Sequence, residues 1–203
     1  MGKKVSWKPG TMLYPLPAVL VSCGKPGVDA NLITIAWAGT VCTNPPMVSI
    51  SVRPERHSHA LILRDMEFTI NLTTEDMARA TDFCGVRSGR DCDKWAMTGL
   101  TPCPGVACRC PAVAESPLSI ECKVKSVTRL GSHDMIIAEV VNVLADEDYF
   151  DSSTGRFELD KAGLIHYTHG AYHAQGRELG HFGFSVRKKE TKSKPKSIKT
   201  QKK

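Results

Sequence analysis

The 203-residue sequence lacks several features that would place it in common classes of protein. No apolar stretch approaches the roughly 20 residues that a membrane-spanning helix needs. Behind Lys3 and Lys4 there is no apolar segment of signal-peptide form. No G-x-G-x-x-G follows a predicted strand, so the sequence has no Rossmann fingerprint. With 41% hydrophobic residues and a length suited to a single core, we expect one globular domain in the cytoplasm.

The spacing of the cysteines also lacks a familiar pattern. Eight cysteines are present, and the densest group is Cys103, Cys108 and Cys110 in TPCPGVACRCP. Their spacings differ from the paired C-x2-C of common zinc sites, so they predict a metal site only weakly. Disulfides are the least favoured interpretation without a secretion signal. A protein defined by cysteine-bound metal stays an alternative.

The other five cysteines divide by their surroundings. Cys23, Cys42 and Cys122 lie in apolar, strand-like runs, where a cysteine acts as a small core residue. Cys84 and Cys92 flank a glycine-containing loop, and we expect them to be exposed, reactive thiols.

The positive charge is concentrated at the C-terminus. The formal net charge is +6, but Arg187 to Lys203 holds nine Lys or Arg and one Glu, a net +8, which leaves −2 for residues 1–186. So polar a segment cannot bury enough surface to order itself. We predict a domain of residues 1–186 and a disordered basic tail of residues 187–203. The tail has a solubilising role or, as the less favoured alternative, binds nucleic acid or an acidic partner.

The stretch from Ala30 to Arg53 is the centre of the predicted fold. An apolar run from Leu32 to Val41, a break at Asn44-Pro45-Pro46 and a second run from Met47 to Val52 indicate two strands joined by a turn. Short polar side chains and an arginine stand at the ends of these strands, and such donors suit a phosphate. They are Asn31, Thr34, Ser51, Arg53, His57 and Ser58. The alternative is that they are ordinary turn and strand-end residues.

The rest of the pattern is rich in strands. AVLVSCG and FTINL predict short strands, and Leu118–Arg129 with Met135–Leu144 predicts a long hairpin. A short helix is predicted after Arg53. A second is predicted in TTEDMARATDFCG, capped by Thr73 or Thr74 and ended by Gly85. Strands with two short helices predict a β-barrel decorated by helices.

An ordered set of motifs resembles a known family. The motifs are P-x-P at Pro15, N-x-x-T-x-A-W at Asn31–Trp37, PP-x-V-x-I-S-x-R at Pro45–Arg53, His57-Ser58, F-x-I-N at Phe68–Asn71, D-K-W at Asp93–Trp95 and G-x-H at Gly131–His133. Over residues 10–185 the chain resembles the flavin reductase-like FMN-binding split barrels, flavoredoxins above all. The cysteine-rich insertion and the basic tail depart from the family pattern.

The resemblance implies a fold, a cofactor and an assembly. It implies a mainly β protein, a Greek-key split β-barrel with a few short helices, which forms a homodimer and binds one FMN per subunit near the dimer interface. NAD(P)H remains possible as a donor without a Rossmann domain, because such reductases pass hydride directly to an exposed flavin. The family has no metal site, so the spacing of His166, His169 and His173 is not interpreted as a metal centre.

The resemblance also implies roles for single residues. The six polar residues at the strand ends would hold the FMN phosphate. Trp37 would pack near the ring, Lys94 would place a cation at the N1 and C2-oxygen edge, and His133 would belong to the flavin site. A solvated loop lysine and a surface turn histidine are the ordinary alternatives for Lys94 and His133.

Three functions follow as hypotheses. The first is a reductase that moves electrons from NAD(P)H through FMN to free flavin, a ferric chelate or a protein. The second is a flavoredoxin-type carrier that takes electrons from a reduced ferredoxin-like donor. The third is a metal- or nucleic-acid-binding protein.

Overall fold

The computed structural model describes residues 2–186, which form mostly antiparallel β-structure. The strands in this range are β1 Leu16–Pro17, β2 Val19–Cys23, β3 Asn31–Ile35, β4 Ala38–Cys42, β5 Met47–Val52, β6 Glu67–Leu72, β7 Pro102–Cys103, β8 Ala112–Val113, β9 Leu118–Arg129, β10 Asp134–Ala145, β11 Ile165–Thr168 and β12 Ala171–Ala174. The α-helices are α1 His57–Asp65, α2 Ala78–Val86 and α3 Lys94–Thr98, and short 3-10 turns occur at Glu147–Tyr149, Leu159–Lys161 and Phe184–Val186. No helix among the described residues has the length and apolarity to cross a membrane. The predicted tail, residues 187–203, lies outside this range.

Seven strands form one curled antiparallel sheet. Their order is β3-β2-β6-β9-β10-β5-β4, so the two edge strands, β3 and β4, are neighbours in sequence and only Ala36 and Trp37 separate them. Because so short a connection joins the first and last strands, the sheet must bend round until its edges meet. The Ser51 amide donates to the Trp37 carbonyl at 2.9 Å across this junction. The predicted mainly β split barrel is confirmed.

The interior of the barrel is filled by side chains from its strands and from α1. Val21, Ile50, Phe68 and Ile136 are fully buried there, and Ile62 of α1 joins them. Each such side chain contributes about 1.5 to 3 kcal/mol of transfer free energy. A second apolar cluster, which includes Leu20, Leu32, Cys84 and Trp95, packs α2 and α3 against β2 and β3. This packing places the loop between α2 and α3 beside the start of β3.

The central stretch differs from its prediction. The run from Leu32 to Val41 is two strands, broken at Ala36 and Trp37, and the neighbour of β5 is β4 and not β3. The reason is the closure of the barrel, since β3 and β4 belong to opposite edges of the sheet. An apolar run carries no mark of this change of edge.

The second predicted helix is also shifted. It begins at Ala78 with Met77 at the N-cap position, and the Thr73 hydroxyl donates instead to the Ala18 carbonyl. Gly85, predicted to end the helix, lies inside it. Its lack of a side chain lets α2 pack closely on β3, since a Cβ there would lie 3.3 Å from the Thr34 Cβ. The predicted loop that follows contains α3.

The long hairpin is confirmed, with strands β9 and β10 in register around the turn at Gly131. The small hairpin of β11 and β12, which pairs with β1, was not predicted, because its short strands are rich in His and Tyr and show no alternation.

Candidate functional site

Two loops bring basic side chains together beside the start of β3. One follows β5, and the other joins α2 to α3. Between them lies a cavity of about 410 Å³, the basic cavity. Its basic lining residues are Arg53, Arg56, His57, Arg87, Arg90 and Lys94.

The charge of the basic cavity is not balanced within the described residues. Glu55 is the carboxylate that lines it, at 3.5 Å from Arg53. Arg90 donates to the backbone carbonyl of Glu55 at 2.8 Å, which neutralises nothing. Among residues 2–186, Arg56, Arg87 and Arg90 form no ion pair. Such cations repel one another until an anion binds among them.

The floor of the basic cavity is narrow and polar. The Asn31 side-chain amide donates to the Ser58 hydroxyl at 2.7 Å, and both residues are buried. The backbone of Gly89 packs against Asn31 and His57, since a Cβ there would lie 2.2 Å from Asn31 Oδ1 and 2.9 Å from His57 Cδ2. Only glycine lets the second loop come this close.

Lys94 is buried at the back of the basic cavity. It opens α3, where Asp93 Oδ1 accepts the Trp95 amide at 2.9 Å as the helix cap. Lys94 Nζ donates to the carbonyls of Leu32 at 2.7 Å and Cys84 at 2.8 Å, so it joins β3, α2 and α3. Burial lowers the pKa of this ammonium. The alternative of a solvated loop lysine is wrong, because Lys94 is only 3% exposed.

The pKa of His57 is lowered first by burial and then by the positive charges of Arg90 and Lys94. The imidazole is therefore neutral at pH 7 when no anion is near. A bound anion would act in the opposite direction.

A second cavity, the aromatic cavity, adjoins the first across Ile33, Arg53 and Arg56 and has a volume of about 250 Å³. Among its lining residues are Thr34, Trp37, Ser51, Arg53 and His133. The Trp37 and His133 rings lie 4.4 Å apart between centroids, and Trp37 is 40% exposed. Burial and then Arg53 lower the pKa of His133, so its ring is uncharged at pH 7. The two ring planes are tilted by 49° to each other, and the rings form a half-open aromatic wall.

The structure divides the nine predicted site residues between these cavities. Asn31, His57, Ser58 and Lys94 line the basic cavity, Thr34, Trp37, Ser51 and His133 line the aromatic cavity, and Arg53 lines both.

The contacts of two of these residues bear on their predicted roles. Lys94 lies with the basic cluster, where its ammonium donates to two carbonyls, and its role at the ring edge stays a prediction. The Thr34 hydroxyl, which was predicted to bind phosphate, donates to the Thr81 carbonyl of helix α2.

Four contributors were missed by sequence reasoning. They are Arg56, Gly89, Arg87 and Arg90. The signal was present as two short segments with two arginines each, R-P-E-R-H and V-R-S-G-R. Nothing in the sequence indicates that these segments face each other, since α2 and the strands between them determine that approach.

The cysteine predictions are partly corrected. Cys84 is buried in the second apolar cluster, and burial raises its pKa to about 11, so it is not a reactive thiol. Cys92 is partly exposed. Cys23 and Cys122 are core residues as predicted, but the same prediction is wrong for Cys42, which is partly exposed. Within residues 2–186 no three His, Cys, Asp or Glu side chains are grouped to hold a metal ion.

Comparison with known proteins agrees with this geometry. The model of the family described as flavin reductase like domain matches residues 11–175. Flavoredoxin of Desulfovibrio vulgaris (Miyazaki F) has a TM-score of 0.83 and 29% identity, with 91% of this chain and 100% of that chain covered. Flavoredoxin from Methanosarcina acetivorans has a TM-score of 0.82 and 24% identity, covering 92% and 100%. An uncharacterised protein of Pyrococcus abyssi is 29% identical over 140 residues, 69% of this chain and 80% of its own. This chain therefore belongs to the flavin reductase like domain family.

Proposed function

We propose that this chain is an FMN-binding cytoplasmic redox protein of the flavin reductase type. It passes electrons from NAD(P)H or a reduced ferredoxin-like donor to free flavin, a ferric chelate or a protein acceptor. Bound FMN supplies the hydride and single-electron chemistry. The observation that carries the proposal is a cavity rich in arginine that shares Ile33, Arg53 and Arg56 with an adjoining cavity lined by half-exposed aromatic rings.

The basic cavity fits the phosphate end of FMN. A phosphomonoester carries nearly two negative charges at pH 7, and the cavity holds five Lys or Arg against one carboxylate. Guanidinium groups form paired, charge-assisted hydrogen bonds with phosphate. Asn31 and Ser58 add neutral hydrogen-bonding groups at the floor.

The aromatic cavity fits the ring end. Trp37 and His133 offer flat faces for an aromatic ring to contact. Because Trp37 is half-exposed, one side of a ring placed there would stay open to a donor or acceptor. In this arrangement Arg53 lies between the phosphate and the ring.

The carrier function is the second candidate, because of the similarity to the Desulfovibrio vulgaris flavoredoxin. Anaerobic mixing of the yellow protein with NADH, NADPH or reduced ferredoxin separates the two. Bleaching by a nicotinamide nucleotide within seconds supports the reductase, and bleaching by reduced ferredoxin alone supports the carrier. A colourless protein that takes up no FMN would contradict both and favour the metal- or nucleic-acid-binding alternative.

FMN rather than FAD is part of the proposal. The basic cavity has room for one phosphate end, and a third cavity of about 800 Å³ adjoins it, sharing Asn31, His57, Gly89, Arg90 and Lys94. An adenosine group would have to enter that cavity. Chromatography of the cofactor released from purified protein decides the matter, and FAD as the main species would overturn this part.

We also propose a homodimer. Large apolar side chains are exposed at both ends of the described chain, among them Trp7, Leu13, Leu179 and Phe182. Exposed apolar groups of this size are typical of interaction surfaces. Light scattering of the flavin-loaded protein tests the assembly, and a monomer at micromolar concentration would contradict it.

A further inference from the structure

One buried side-chain contact joins the first turn of α1 to the start of β10. Nε2 of His59 and Oδ2 of Asp134 lie 2.9 Å apart, and the two residues are 9% and 6% exposed. Because a carboxylate oxygen only accepts hydrogen bonds, Nε2 of His59 carries the proton and donates it. Among residues 2–186, no other side-chain hydrogen bond joins α1 to β10. Neither residue lines the basic or the aromatic cavity, but each lies next to residues that do.

His59 is tied to the arginine-containing loop that follows β5. Its backbone amide donates to the Arg56 carbonyl at 3.0 Å, and the Arg56 amide donates to the Arg53 carbonyl at 3.0 Å. The preceding residue, Ser58, accepts the side-chain amide of Asn31 at 2.7 Å at the floor of the basic cavity. A shift of His59 would therefore move the residues that line the basic cavity.

Asp134 is tied in the same way to the aromatic cavity. It directly follows His133, whose ring lies 4.4 Å from that of Trp37. It opens β10 in register with Val52 of β5 and Arg129 of β9, and Val52 is only 1% exposed. A shift of Asp134 would therefore move one of the two rings of the aromatic wall.

We propose that His59 and Asp134 are positioning residues that set the separation between the phosphate end and the ring end of the flavin site. The hydrogen bond between them links the loop beside one cavity to the turn beside the other. This inference rests on the proposed function, because it concerns a ligand that occupies both cavities at once.

The separation matters because FMN carries its phosphate and its ring on one molecule. When one end binds, the other end is held near its own cavity at a high effective concentration, provided that the two cavities lie at the distance that the ligand spans. If that distance changes, each cavity still accepts its own group, but one molecule no longer fits both. Loss of the contact should therefore weaken FMN binding more than the binding of ligands that occupy a single cavity.

Three ligands separate these effects in the full-length, flavin-free protein. FMN occupies both cavities, riboflavin has no phosphate and tests the aromatic cavity, and sulfate tests the basic cavity. In Asp134→Ala we expect FMN affinity to fall about 10-fold, the size of a lost hydrogen bond to a charged group. The affinities for riboflavin and sulfate should each change by less than about 2-fold. Fluorescence titration measures the two flavins, and calorimetric titration measures sulfate.

Further variants assign the effect to the hydrogen bond. Asp134→Asn keeps an oxygen that accepts from His59, and His59→Gln keeps an N–H that donates, so both should bind FMN within about 2-fold of the wild type. His59→Ala should match Asp134→Ala, and takes its place if Asp134→Ala does not fold. The variant with both alanines should bind FMN no more weakly than either single variant, because the contact is already lost.

Glu67→Ala is the matched control. Glu67 is an equally buried carboxylate, 7% exposed, and it accepts Nε of Arg109 at 2.9 Å outside both cavities. Its loss should lower stability and leave FMN affinity unchanged. Circular dichroism confirms that each variant is folded before the ligands are added.

The results that would overturn the inference differ from those that would overturn the proposed function. If Asp134→Ala binds FMN as the wild type does, or if Asp134→Asn is as weak as Asp134→Ala, the hydrogen bond does not position the flavin. If riboflavin or sulfate affinity falls as far as FMN affinity, the pair supports the structure of one cavity and not the separation of the two. A wild-type protein that binds no FMN would contradict the proposed function itself, and the inference with it.

Discussion

The basic cavity and the loop of residues 103–110, the cysteine loop, both contain buried charged groups, but the charges have partners within the protein in only one of them. At the cysteine loop each buried carboxylate has its partners inside the protein: Glu121 binds three amides and Asn142, and Glu67 binds Arg109. At the basic cavity Arg56, Arg87 and Arg90 have no counter-ion among the described residues. A buried charge whose hydrogen-bond partners lie within the protein fixes the backbone around it. Charge left without a partner marks the place where a ligand must supply one.

The pKa of Glu121 reflects this satisfaction. Burial alone would raise its pKa, but the hydrogen bonds from Asn142 and the three loop amides outweigh burial, and the pKa lies below its ordinary value of 4.5. Such a group stabilises the fold above pH 4.5, and that contribution is lost as the pH falls through its lowered pKa.

The largest expected effect is therefore at the cysteine loop. Glu121→Ala should lower the free energy of unfolding by about 3 to 5 kcal/mol, because each buried amide left without a partner costs about 1 to 3 kcal/mol and water repairs only part of the loss. Urea denaturation at pH 7 measures it. Glu115→Ala is the control, since Glu115 is exposed and binds only the Thr101 amide.

If Glu121→Ala loses no more unfolding free energy than Glu115→Ala, the buried carboxylate does not hold the cysteine loop, and the contrast with the basic cavity fails. In addition, the wild-type stability should fall below pH 4.5 more steeply than that of Glu121→Gln, which has no carboxylate to protonate.

The next effect is on ligand affinity. Arg53→Ala should weaken FMN binding by about 10 to 150-fold, the equivalent of about 1.5 to 3 kcal/mol for a charge-assisted contact. Its unfolding free energy without FMN should change by less than about 0.5 kcal/mol, as is usual for surface positions. Titration of FMN fluorescence and urea denaturation measure the two quantities. An Arg53→Ala protein that loses stability but binds FMN normally would make Arg53 structural.

How much of the fold could be predicted from the sequence depends on how far apart along the chain the interacting residues lie. Periodicity and turn residues predicted β2, α1 and the hairpin of β9 and β10, because those signals lie within each segment. Closure of the barrel between β3 and β4 was not predicted, since it follows from the order of all seven strands. The prediction that Thr73 or Thr74 caps α2 was wrong, because the Thr73 hydroxyl donates to the carbonyl of Ala18, which is distant along the chain.

The site shows the same limit. The order of the motifs selected nine residues that line two adjoining cavities, but it did not indicate that Lys94 is buried with its ammonium bound to two carbonyls. Its two carbonyl partners, Leu32 and Cys84, belong to distant segments. Arg56, Arg87 and Arg90 were missed because opposing loops are a product of packing. The cysteine loop depends on Glu121, which lies in a strand where nothing in the pattern marks it as a ligand of amides.

The third effect tests the basic cavity through an added anion. Sulfate should stabilise the FMN-free protein by about 1.4 kcal/mol at a concentration ten times its dissociation constant, because it supplies the anion that the arginines lack. Arg56→Ala/Arg87→Ala should lose most of that gain. Thermal unfolding in sodium sulfate against sodium chloride of equal ionic strength measures it. Equal stabilisation of the double variant would show that sulfate acts generally on the protein and not at the basic cavity.

The smallest effect tests the electrostatic potential in the basic cavity through the protonation of His57. Burial, Arg90 and Lys94 hold the pKa of His57 below its ordinary value of 6.5, and a bound anion favours the protonated ring. Sulfate affinity should therefore rise as the pH falls from 7 to 5, by about 1.5 to 5-fold, the range for a partly exposed ion pair. Sulfate keeps its charge over this range, so the change reports on the protein. Calorimetric titration at each pH measures it, with His57→Gln as the variant in which the dependence should vanish and His169→Gln, far along the chain on the β11–β12 turn, as the control that should keep it. If the affinity is the same at both pH values in the wild type, His57 does not face the anion, and the basic cavity consists of the arginines alone.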